Sequence, residues 1–201
     1  MGLDHINGDS HCIYNHMKYI ITEFQYKLLM EDKEEILRIP SVELFGGWDG
    51  LQNFLERRGN PPYSIGGNLK LESLEIKTLG NLISVEGNVH LRYMDDLESL
   101  GNLTSVGGYL IINYLMKLET LGNLKSVGGD LVSIRCDNLK STGNLKSVGG
   151  DSDLSGCDKL NDIENLEYVG GDLHLRFTRL SKRHTKESVR EMVDVRKQIY
   201  I

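Results

Sequence analysis

Between residues 65 and 180 the apolar positions recur on a fixed beat. The tetrad Leu-Gly-Asn-Leu begins at Leu79, Leu100 and Leu121, then becomes Thr142-Gly-Asn-Leu and Ile163-Glu-Asn-Leu, each step being 21 residues. A second mark keeps the same spacing: Glu86-Gly87, Gly107-Gly108, Gly128-Gly129, Gly149-Gly150 and Gly170-Gly171, with Gly66-Gly67 one residue out of step. After the glycines, pairs such as Val89/Leu91, Leu110/Ile112 and Leu173/Leu175 alternate with period two and predict a short strand with one buried face. The steps Leu118 to Leu121 and Leu124 to Val127 turn further apolar residues inward around bends too tight for a long helix. The glycines supply backbone conformations that a Cβ would strain. A 21-residue unit cannot bury its apolar side alone, so units must stack with equivalent residues one above another, about 4.7–4.9 Å apart. The pattern therefore predicts a parallel solenoid.

The grid places Asn81, Asn102, Asn123, Asn144 and Asn165 in a structural ladder inside one edge, each amide bonding the next Asn and turn backbone. It also shows decay. Ser133 stands in the slot of Leu91 and Ile112, Ser152 in that of Leu131, and Thr142 in that of Leu121, which predicts a looser core or a bend in those coils.

The ends read differently. In residues 10 to 39, Ile13, Met17, Ile20, Ile21, Phe24 and Leu28 fall at helical steps, predicting one long helix or two ended by Pro40. A further helix is signalled by Asp49 as cap, Leu51 and Leu55 as its apolar face and Gly59 beyond its end. Asn60-Pro61-Pro62 marks the edge of the repeats. Residues 1–62 are thus expected to form a helical cap, or alternatively an effector domain, with 63–180 as the solenoid. In 181–201, Thr185 caps a helix from Lys186 to about Val193, and Gln198 to Ile201 forms a last strand that seals the final coil.

With these residues in view, the "NLKSVGGDL" units resemble leucine-rich-repeat-like solenoids of the short bacterial and phage type, and more distantly the receptor L-domain β-helix. The closing "LSKRHTKESVREMVDVRKQIYI" looks like the ending of phage-encoded members. The reading is an α+β chain: a right-handed parallel β-solenoid of 21-residue coils, an N-terminal helical cap and a C-terminal helix-strand cap. The resemblance implies a surface for binding, and, for a phage protein, a host-facing or inhibitory role.

Composition sharpens this picture. Of 22 Gly in 201 residues, 16 lie between Gly66 and Gly171, so the glycine excess belongs to the repeat. Net charge is −6, yet residues 174–201 carry eight basic and three acidic groups. Cys12, Cys136 and Cys157 are odd in number, and no signal-peptide pattern or apolar run near 18 residues precedes them, so a reduced, cytoplasmic protein without membrane association is expected. Cys136 and Cys157 share one slot in adjacent coils, a stacking that permits but does not require a disulfide.

Two metal-like patterns fall short of a site. Asp151-x-Asp153-x-Ser155-Gly156 with Asp162 matches part of a calcium loop, but the repeat explains Asp151, the flanks are not helical, and Asp158 stands where an apolar residue belongs. His11, Cys12 and His16 lack a fourth zinc ligand. No nucleophile elbow, metalloprotease helix, phosphate loop or dinucleotide fingerprint occurs, so no enzyme, cofactor or metal is expected.

What remains is the outward strand face. Its rows run Lys70, His90, Ile111, Val132, Asp153, His174; then Glu72, Arg92, Asn113, Ile134, Ser155, Arg176; then Tyr93, Tyr114, Arg135, Gly156, Phe177. Aromatic and Arg residues recur at recognition surfaces, so Arg92, Tyr93, Tyr114, Arg135, Arg176 and Phe177 form the candidate binding patch, set against an ordinary solvated face. The expected function is a non-enzymatic protein–protein interaction module, its partner bound by this face or by the helical cap. The alternative is nucleic acid or a nucleotide-like anion bound through Arg92, Arg135, Arg176 and the basic tail at Lys182, Arg183, Lys186 and Arg190.

Overall fold

A computed structural model describes residues 36–201. Each coil contributes two strands, where the alternation predicted one. The segment after the glycines forms the predicted strand, as at Leu69–Glu72, Val89–Arg92 and Leu110–Asn113. The Ser-Val pair before the glycines forms the other, as at Ser105–Val106, Ser126–Val127 and Ser147–Val148. These stack into two parallel sheets, sheet A of eight strands built on the Ser-Val positions and sheet B of seven built on the Leu-x-Leu positions. Isolated bridges Thr78 to Ser99, Thr120 to Ser141 and Ser141 to Asp162 mark a third side. The molecule is a right-handed parallel β-solenoid with coils of about 21 residues.

Register follows the sequence grid. In sheet A, Ile39, Ile65, Val85, Val106, Val127, Val148, Val169 and Val195 align in one row. The inward columns are filled by aliphatics such as Leu79, Leu100, Leu121 and Ile163, all fully buried. Thr142, Ser133 and Ser152 are also fully buried. From Leu131–Val132 onward the sheet B strands shorten from four residues to two, Leu173–His174 included, although Leu175 returns an aliphatic to the slot of Ser133.

The glycines divide into two kinds. Those of the Gly-Asn turn do take the left-handed backbone, with φ of 64° at Gly101 and 61° at Gly143. The paired glycines do not; they sit at the corner between the sheets, where successive coils approach so closely that a Cβ on Gly128 would collide with the Gly107 carbonyl. Their requirement is room between coils.

The asparagine ladder is real, but it runs along the exposed outer edge and not inside it. Asn102 Nδ2 donates to Asn81 Oδ1 at 2.9 Å, and Asn165 Nδ2 to the Gly143 carbonyl at 2.8 Å. The amides satisfy turn carbonyls that face water. A second ladder stands at the start of sheet B. Each side-chain oxygen accepts the backbone N–H one coil on, as from Asp151 to Asp130, Asp172 to Asp151 and Gln198 to Asp172, at 2.8–2.9 Å.

At the N-terminal side, the helix predicted over residues 10 to 39 fails at its end: Leu37–Ile39 is a strand paired with Tyr63–Ile65, its two aliphatics buried and Arg38 exposed. The rest of that prediction lies outside the described residues. A 3-10 turn at Val42–Phe45 leads through Gly46, at φ 76°, to helix α1 (Trp48–Glu56). Gly47 is its N-cap; Asp49, predicted as cap, lies in the first turn, where its charge still suits the helix dipole. Trp48, Leu51 and Leu55 face the core, and Gly59 follows at φ 75°. At the other end Thr185 caps helix α2 (Lys186–Met192) as predicted. Its Oγ1 accepts from Ser188 N while Ser188 Oγ accepts from Thr185 N. Strands Asp194–Val195 and Ile199–Tyr200 then complete the last coil.

Candidate functional site: the outer face of sheet B

The outer rows of sheet B assemble in the predicted register, with Lys70, His90, Ile111, Val132, Asp153 and His174 adjacent in turn. Ile111, Val132 and Ile134 form a half-buried apolar centre. Burial, reinforced by Arg92 and Lys70, lowers the His90 pKa below the ordinary imidazole range, and its ring meets Tyr109 edge-on at 5.0 Å.

The third row carries the unusual backbone. Tyr93, Tyr114, Arg135 and Phe177 all have positive φ, between 53° and 59°, as does Gly156 at 75°. Each ends the sheet B side of its coil and turns the chain in the left-handed region. For a side chain with a Cβ this costs about 1–2 kcal/mol per residue, and glycine is the unstrained choice. Four coils nonetheless hold large side chains there. Tyr93 and Tyr114 stack with centroids 5.2 Å apart, and Tyr93 and Phe177 remain 52% and 74% exposed.

Charge on this face differs from that on the coil edges. Lysines elsewhere pair with carboxylates one coil away: Lys117 with Asp96 and Lys140 with Glu119, each at 2.7 Å, and Lys146 with Glu167 at 2.9 Å. Among the described residues, no carboxylate lies within ion-pair distance of Arg92, Arg135 or Arg176. Arg92 Nε is buried without a hydrogen-bond partner.

The structure thus places Arg92, Tyr93 and Tyr114 together at one end of the face, Arg176 and Phe177 at the other, and Arg135 between them, exposed. Two aromatic neighbours escaped the sequence grid. Tyr200 stacks on His174 at 4.4 Å and lies 5.1 Å from the Arg176 guanidinium. Its register partner is His174, a step of 26 residues because α2 is inserted in the last coil, so adding 21 points elsewhere. Tyr109 lies in the row of the Asn/Asp ladder, outside the three outward rows.

The calcium pattern dissolves in three dimensions. Asp151 Oδ1 accepts from Asp172 N, Asp153 Oδ1 from Ser155 N, and Asp162 lies on the third side, accepting from Ser141 Oγ. Among the described residues no three His, Cys, Asp or Glu side chains converge as a metal site would need. His11, Cys12 and His16 lie outside them. Cys136 and Cys157 are free and buried, their thiols donating to the carbonyls of Ile112 and Ser133. Burial pushes Cys136 up and Cys157 to about 11, so both are poor nucleophiles. Among the described residues no helix is long and apolar enough to cross a membrane.

The fold defines the class, a parallel β-solenoid. Beyond it, the chain matches no family model, no curated protein and no solved structure.

Proposed function

We propose that the protein is a non-enzymatic interaction module whose sheet B outer face binds another protein. One observation carries the reading: large side chains occupy a row of left-handed positions that glycine would fill without strain. Strain held at exposed positions is retained when the side chain has a use. Tyr93, Tyr114 and Phe177 offer rigid apolar area, and the three unneutralised arginines favour a partner segment bearing carboxylates. The same reading places the protein in a reducing compartment such as the cytoplasm, in keeping with two free buried thiols. The resemblance to phage solenoids adds a host-facing or inhibitory role, which the partner's identity decides.

Nucleic acid fits less well. Asp95, Asp137 and Asp158 follow the face closely, and in the basic tail Arg190 is spent on backbone carbonyls. The test is capture of a partner from native cells by the intact protein and by Arg92→Ala/Tyr114→Ala, both checked for an unchanged circular dichroism spectrum. Loss of a specific, stoichiometric partner in the variant is expected. Equal capture by both would move the site off this face. A salt-dependent mobility shift of labelled RNA or DNA, abolished by the variant, would replace the protein reading with the nucleic-acid one.

A further inference from the structure

At its glycine corner sheet A is joined by a repeating pair of hydrogen bonds, beside others that run from strand to strand, such as Lys125 N to Thr104 O at 2.8 Å. The residue after the row valine donates its N–H to the valine carbonyl of the coil before: Gly107 to Val85 and Gly128 to Val106 at 2.8 Å, Gly170 to Val148 at 2.9 Å, Arg196 to Val169 at 3.0 Å. The next N–H donates to the carbonyl two residues further on: Gly129 to Gly108 and Gly171 to Gly150 at 2.9 Å, Lys197 to Gly171 at 3.3 Å.

In the last coil the corresponding carbonyls are those of Val195 and Lys197. Both accept from one side chain. Arg190 Nη1 donates to Val195 O at 3.2 Å and Nη2 to Lys197 O at 2.8 Å. A guanidinium presents two donors in a fixed planar fork, and here the fork stands where two successive backbone N–H groups of a following coil would stand. Helix α2 holds it there, through the Thr185/Ser188 capping box and the buried Val189 and Val193.

The first coil has the complementary feature. Register aligns Ile39 with Ile65 and Val85, so the residue in the donor position is Pro40, which has no N–H. In the other coils that position donates, as Gly66 N does to Ile39 O at 2.8 Å. One corner of the solenoid therefore lacks its donor at the first described coil and has its acceptors filled at the last.

At this corner the matching occupant of either edge is the opposite edge of a second copy, because donors and acceptors there follow one coil-to-coil register. Such head-to-tail contact does not close, and it grows into filaments. We propose that Pro40 and Arg190 together insulate the two edges that sheet A presents among the described residues against head-to-tail stacking of this chain on itself. The insulation is independent of what the outer face binds.

The test is sedimentation velocity over a wide concentration range on the full chain, Pro40→Ala, Arg190→Ala and the double variant. Arg190→Ala is expected to associate in a concentration-dependent, open-ended manner. The double variant should do so at a concentration lower by about 2- to 10-fold, the effect of one restored backbone hydrogen bond. Pro40→Ala alone should sediment like the wild type. Hydrogen exchange at Arg196 and Lys197 reports whether the last coil is intact. A double variant that sediments like the wild type would overturn the proposal. So would association indifferent to residue 40, or lost protection at Arg196 and Lys197 without a change in mass, since that would confine Arg190 to holding its own coil.

Discussion

Thr142 and Thr178 should respond to the same substitution with opposite signs. Both are fully buried. Thr142 occupies the slot filled by Leu121 and Ile163 in the adjoining coils, and its Oγ1 has no hydrogen-bond partner. Thr178 Oγ1 donates to Leu175 O at 2.7 Å and accepts from Ser181 N at 3.0 Å. A buried hydroxyl without a partner costs about 1–3 kcal/mol, so the near-isosteric Thr142→Val should stabilise the fold by that order. For a chain of this size 1 kcal/mol corresponds to about 2–4 °C in Tm, so the rise should be about 2–12 °C. Thr178→Val leaves the Ser181 N–H without its acceptor and should lower stability by about 1–3 kcal/mol. Thermal and urea unfolding followed by circular dichroism measure both. A Thr142→Val protein that melts at or below the wild type would refute the reasoning, because it would mean that the hydroxyl is satisfied by something such as an internal water.

Phe177→Gly relieves the left-handed strain and, after allowing for the greater freedom of glycine in the unfolded chain, should raise stability by up to about 1 kcal/mol. Its partner capture should fall, and a pull-down beside a melting curve reads both effects. Gly128→Ala forces a Cβ into the Gly107 carbonyl and should destabilise by about 3 kcal/mol or more, seen as a lower urea midpoint. Cys157, raised from 9.0 to about 11 by burial, is held as the neutral thiol in the folded state. The folded state therefore binds the proton more tightly, so this contribution is complete below pH 9 and declines between about pH 9 and 11. Alkylation of Cys136 and Cys157 by iodoacetamide at pH 8, located by peptide mass spectrometry, should accordingly require denaturant, and rapid labelling of either one in the native protein would contradict the burial.

Most of the fold could be read from the sequence because a repeat converts one weak local signal into several aligned copies. The outer rows of sheet B are the clearest case: adding 21 reproduces their register from Val89 to His174. What escaped has physical reasons. The Ser-Val strands are two residues long and are defined by bonds to neighbouring coils, so no local alternation announces them. Leu37–Ile39 continues an apparent helical pattern but is claimed by the edge of sheet A, where pairing with Tyr63–Ile65 overrides a three-residue preference. The candidate patch carries only one signal in the sequence, residue type. Its strongest feature, the shared left-handed backbone, is a torsional property invisible in composition, and Tyr200 was hidden by the longer last coil.

The two side-chain ladders have a consequence for how such a chain can change. The Asn and Asp ladders bond from one coil to the next, and the pairs Lys117–Asp96, Lys140–Glu119 and Lys146–Glu167 close across the same 21 residues, so a whole unit can be removed or duplicated with the ladder bonds re-formed at the junction. Length is then nearly free to vary while curvature, core and corner glycines stay fixed. The outer face would grow or shrink in steps of one strand spacing, each step adding or deleting one aromatic or basic contact. Reach, in this architecture, is a number that recombination can adjust separately from the chemistry displayed along it.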